Sequence, residues 1–105
     1  MYQEQINAEN IHQLIRPLII SGVYKNEMSA LKDIIINFVK NKINDYSLQK
    51  QKFNIKYKKD FDSFTKSLRG NASFSDEDDW MDWKAAIEME KAWMETLRSF
   101  IKDAN

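Results

Sequence analysis

The 105-residue chain has no cysteine, one histidine, one proline and two glycines. Without cysteine it can form no disulfide, offers no thiolate nucleophile and cannot build the common structural zinc sites. His12 has no second histidine to join in a metal or relay motif. It follows Ile11 in an amphipathic stretch and reads as a surface or boundary residue. A phosphate loop and a G-x-S-x-G elbow are missing too, so neither an enzyme nor a bound cofactor is expected. No apolar run approaches the roughly 18 residues needed to cross a bilayer; the longest cluster is "LIRPLII". The opening "MYQEQINAEN" has neither a basic region nor an apolar core, and a cytoplasmic protein is the expectation.

What is present is 43% hydrophobic, 12% aromatic and 30% charged, too apolar for intrinsic disorder. A single domain of this length buries only about two-thirds of its unfolded surface as a monomer, so a second copy or a partner would help it. The zero net charge hides a segregation. Residues 40–69 hold nine cations against three acids, whereas residues 70–105 hold nine acids against four cations. Two such segments either lie against each other or present charged faces to partners.

Scarce glycine and proline predict few, long helices. Ile11, Leu14, Ile15, Leu18 and Ile19 form the stripe of a first helix starting after Asn7 and stopping at Ser21-Gly22, with Pro17 expected to kink or delay it. Asn26 caps a second helix. Leu31, Ile34, Ile35, Phe38, Val39, Ile43, Tyr46, Phe53 and Tyr57 give it one long stripe. A helix from 27 to 57 would measure about 46 Å, longer than a compact domain of this size is wide, and so must project, break near Asp45 or be covered by another chain. "DFDSFTKSLRGN" reads as a short helix capped by Asp60 and ended by Gly70. The last helix is expected from Asp76 to about Lys102, with Trp80, Trp83, Ile87, Met94, Leu97 and Ile101 on its stripe.

Asp76, Glu77, Asp78 and Asp79 directly precede Trp80 and Trp83. The run lacks the glycine and ligand spacing of a calcium loop, and its carboxylates suit the positive end of a helix dipole, with Ser75 as cap. The tryptophans suit either a core or the anchor of an interface steered by the adjacent acids. Lys50, Lys52, Lys56, Lys58 and Lys59 occur without glycine, and their interleaved aromatics belong to the apolar stripe, so they read as helix surface rather than a nucleic-acid platform.

Three segments together resemble antitoxins of prokaryotic type II toxin–antitoxin modules. "LIISGVYKNEMSALKDIIINFV" is similar to that family's helix, turn and capped second helix; "KYKKDFDSFTKSL" looks like its short aromatic helix; "DWMDWKAAIEMEKAWMETL" looks like its acidic, aromatic tail. The resemblance implies a mainly α chain. Residues 1–45 would form a ribbon-helix-helix-like dimerisation region with its strand short or absent. Residues 46–105 would be a toxin-binding region comprising the rest of the long helix, a short helix and a C-terminal amphipathic helix. It further implies a homodimer that neutralises a cognate toxin of RelE/ParE-like type, through Phe61, Phe64, Leu68, Trp80, Trp83, Ile87 and Trp93. In such families the first strand reads operator DNA and autoregulates the operon. Here that strand would be "YQEQI", with Gln3 and Gln5 outward and no arginine or lysine. The alternatives are a helical DNA-binding regulator and a plain oligomeric helical scaffold with no toxin partner.

Overall fold

In the computed structural model, residues 8–104 are described. They form four helices and no strand: α1 (Ala8–Ile20), α2 (Glu27–Tyr57), α3 (Phe61–Ser67) and α4 (Phe74–Ala104). The chain is therefore mainly α-helical. The expected strand, with Gln3 and Gln5, lies outside the described residues, as does Asn7. α1 starts at Ala8 and continues across Pro17, so the late start expected from proline does not occur.

The chain divides into two compact units, residues up to Asn37 and residues from Phe38 onward, with the division inside α2. In the first unit α1 ends where Gly22 turns left-handed at φ +82° and donates its N–H to the Ile19 carbonyl at 3.0 Å. A side chain on Cβ disfavours that conformation, which is why glycine follows the helix. Asn26 caps α2, its Oδ1 accepting from the Ser29 N–H at 2.9 Å. Tyr24 donates its hydroxyl to Asp33, and His12 meets the Glu27 carboxylate. Among the described residues of this unit only Ile15 and Ala30 are buried.

The second unit is a helical hairpin. The part of α2 from Phe38 to Tyr57 runs antiparallel to α4: Phe38 meets Trp93 at one end, and Phe53 and Tyr57 meet Trp83 toward the other. α2 thus neither breaks near Asp45 nor projects along this length, because α4 of the same chain, rather than another chain, covers it. The opposite charges of the two segments meet in Lys50–Glu90 at 2.7 Å and Lys56–Asp79 at 2.6 Å. α3 fills the elbow between them. Asp60 caps it by accepting from the Ser63 N–H at 2.7 Å, a backbone bond that also holds its carboxyl below the ordinary value.

The start of α4 corrects the sequence expectation. The helix begins at Phe74, and its cap is Ser73 rather than Ser75. Ser73 Oγ accepts from the Asp76 N–H at 3.0 Å, and the Ser73 N–H donates back to Asp76 Oδ2 at 3.5 Å. That reciprocal pair is a capping box with Asp in the acidic position, two residues earlier than expected.

Candidate protein-interaction site

Trp83 is the centre of the hairpin elbow, with 2% of its surface exposed. Phe53 stacks on it at 5.7 Å with 20° between planes, and Tyr57 at 6.3 Å and 14°. From α3, Phe64 lies 5.4 Å away and Phe61 meets it edge-on at 5.4 Å. Rings at these separations gain about 0.5–1.5 kcal/mol per pair beyond the area they bury. Trp80, one turn earlier, stacks on Phe61 at 5.7 Å, and its indole N–H donates to Thr65 Oγ1 at 2.8 Å. The Lys84 ammonium lies 5.3 Å from the centre of the Trp80 ring, and the indole keeps part of its surface open.

A polar clamp closes the elbow beside this cluster. The Tyr57 hydroxyl donates to Asp79, with Asp76 Oδ1 3.4 Å away, while Lys56 pairs with the same Asp79. The Lys56 ammonium first, then the Tyr57 hydroxyl, hold the Asp79 carboxyl below its ordinary range. Burial, reinforced by Asp79, pushes the Tyr57 hydroxyl above its ordinary value. Two of the four acids in the 76–79 run are thereby drawn toward Tyr57, while Glu77 and Asp78 face solvent. Among the described residues no group of three His, Asp or Glu side chains is placed to hold a metal ion.

Of the seven residues assigned to a partner from sequence, Phe61, Phe64, Trp80 and Trp83 meet at the elbow. Phe64 and Trp83 are buried there; Phe61, Leu68, Trp80, Ile87 and Trp93 keep part of their surface. Trp93 lies farther along the seam, edge-on to Phe38 at 5.9 Å, and its buried indole N–H finds no acceptor among the described residues. Phe64 and Trp83 thus belong to this chain's own core, with Phe61 packed on Trp83 and Trp80 on Phe61.

Two apolar features are exposed, the first of them including Leu14, Ile34 and Ile35 of the expected helix stripes. In the first unit Leu14 is 79% exposed and Ile20 73%, and Val23, Met28, Ile34 and Ile35 are exposed as well. At the start of α4, Phe74 and Met81 are exposed on either side of Glu77 and Asp78. Periodicity marks such positions as apolar but does not say whether the chain itself covers them. Compared with known proteins, the chain matches no family model, no curated protein and no solved structure.

Proposed function

We propose that this chain is an antitoxin-type binding protein: a homodimer, formed through its N-terminal unit, whose helical hairpin binds and neutralises a cognate toxin, a small basic protein of RelE/ParE-like type. The observation that carries this reading is the first unit's apolar surface. Among its described residues this unit buries only Ile15 and Ala30 while exposing Leu14, Ile20, Val23, Met28, Ile34 and Ile35, and a second chain would cover that apolar surface. The order of segments, a capped helix pair followed by a short aromatic helix and an acidic aromatic one, supports the same reading. In it, the half-open Phe61, Leu68, Trp80, Ile87 and Trp93 contact the toxin, with Phe64 and Trp83 supporting them from beneath. Glu77 and Asp78 steer a basic partner toward Trp80. In the same reading Gln3 and Gln5 of "YQEQI", outside the described residues, would contact operator DNA.

The test is genetic and biochemical. Expression of the adjacent gene alone should arrest growth, and this chain should relieve the arrest and co-purify with the product. A harmless neighbour that does not co-purify would refute the toxin partner.

A second reading, a helical oligomeric scaffold with no toxin, is favoured by the burial of Phe64 and Trp83 in the hairpin. It shares the dimer and differs in the fate of the tryptophans: Trp80 and Trp93 would be closed to a soluble quencher in the isolated dimer, whereas the antitoxin reading leaves them accessible until toxin binds.

A further inference from the structure

The end of the hairpin away from the elbow carries a groove of about 740 Å³ between α2 and α4, floored by Ile43, Leu97 and Ile101 and rimmed by Lys40, Arg98 and Lys102. None of these three cations forms an ion pair among the described residues, although the same two helices pair Lys50 with Glu90 and Lys56 with Asp79 nearer the elbow. An apolar floor inside a cationic rim calls for an occupant with an apolar face flanked by carboxylates. Two grooves placed face to face would bring six cations together, so the groove does not pair with itself.

The chain carries such an occupant at its other end. Phe74 (88% exposed), Asp78 and Met81 (62% exposed) follow one another at i, i+4 and i+7 on α4, with Glu77 beside them. They form one outward face, apolar at both ends and acidic in the middle. Neither Glu77 nor Asp78 forms an ion pair among the described residues. A chain cannot fill its own groove with this face, because Asp78 and Arg98 are twenty residues apart on one helix, about 30 Å along its axis.

We infer that the groove receives the Phe74–Met81 face of a second copy, so that hairpins associate head to tail. Phe74 and Met81 cover Ile43, Leu97 and Ile101, while Glu77 and Asp78 meet Arg98, Lys102 and Lys40. The contact is heterologous: each copy uses its groove on one neighbour and its acidic face on another. It uses no residue of the apolar face in the first unit and does not depend on how that face is covered.

Sedimentation velocity of the full chain from low micromolar to millimolar concentration tests this, read as growth of the average mass with concentration. Wild-type mass should grow, and the growth should weaken as salt rises from 50 to 500 mM. Arg98→Glu/Lys102→Glu and Glu77→Lys/Asp78→Lys should each weaken the growth at least tenfold while circular dichroism stays helical. Mixed one to one, the two variants should associate again, since each groove then faces a tip of opposite charge. Failure of the mixture to regain association overturns the proposal, as does a wild-type mass that does not grow with concentration. Growth that either charge reversal leaves unchanged also overturns it.

Discussion

The indole of Trp83 on α4 lies nearly parallel to the ring of Phe53 on α2, 5.7 Å away, and this stack joins the two long helices at the elbow. Phe64 and Tyr57 close over the same indole, themselves 4.0 Å apart. Truncation of a tryptophan so enclosed leaves a cavity that its rigid aromatic neighbours cannot fill. Trp83→Ala is expected to cost about 3–5 kcal/mol, a large share of the roughly 5–15 kcal/mol that stabilises a domain. Urea denaturation followed by circular dichroism measures it. A midpoint within error of wild type would mean that Trp83 is not the centre of the elbow.

The clamp at Asp79 predicts a pH dependence with a definite sign. Its folded-state value is depressed, so its contribution is complete above the unfolded value, near 3.9, and is lost as pH falls through the lower folded value. Tyr57 is raised, so its contribution is complete below about 10 and is lost at higher pH. Lys56 is half exposed, which weakens its part of the clamp. Asp79→Asn should destabilise by about 1 kcal/mol between pH 5 and 9, and the difference from wild type should shrink progressively as pH falls below about 3.9. A difference that stays constant as pH falls below about 3.9 would contradict the assignment.

Ser73 and Ser75 both stand three residues before an acid, at Asp76 and Asp78, and only Ser73 caps. Ser73→Ala is expected to cost about 1 kcal/mol, and Ser75→Ala to stay within about 0.5 kcal/mol of wild type. Paired thermal melts decide between them, and equal losses would restore Ser75 as a cap.

The Trp93 indole N–H is buried with no acceptor among the described residues, so the indole contributes area at the cost of an unmade hydrogen bond. Trp93→Phe removes that donor along with some volume. The two effects oppose each other, and the variant should remain within about 1 kcal/mol of wild type, whereas Trp93→Ala should lose about 3 kcal/mol or more. A loss in Trp93→Phe as large as that in the alanine variant would show that the N–H is satisfied.

What was legible in the sequence was what neighbouring residues decide. Asn26, Asp60 and Gly22 mark helix ends through bonds and backbone angles spanning a few positions, and each acts where its residue type suggested, whereas α3 ends at Ser67 with Leu68 as its C-cap and the expected terminator Gly70 lies left-handed in the turn that follows. The segregation of charge left open whether the lysine-rich and acidic segments meet or face partners, and Lys50–Glu90 and Lys56–Asp79 join them. The choice between Ser73 and Ser75 was not legible, because both satisfy the same local pattern and Phe74 between them belongs to neither helical stripe. Nor could the sequence show whether Phe64, Trp80 and Trp83 face this chain or another, since cores and binding hot spots draw on the same residues. That Lys40, Arg98 and Lys102 surround one groove depends on the register of α2 against α4, which no local pattern encodes.

Sedimentation equilibrium of the full chain at low micromolar concentration bears most directly on the claim that another chain completes the first unit. The expected result is a species of twice the 12.5 kDa chain mass. Leu14→Glu/Ile20→Glu should convert it to single chains, weakening the association at least tenfold while the hairpin stays helical. A wild-type chain that sediments at 12.5 kDa across the micromolar range would contradict the account.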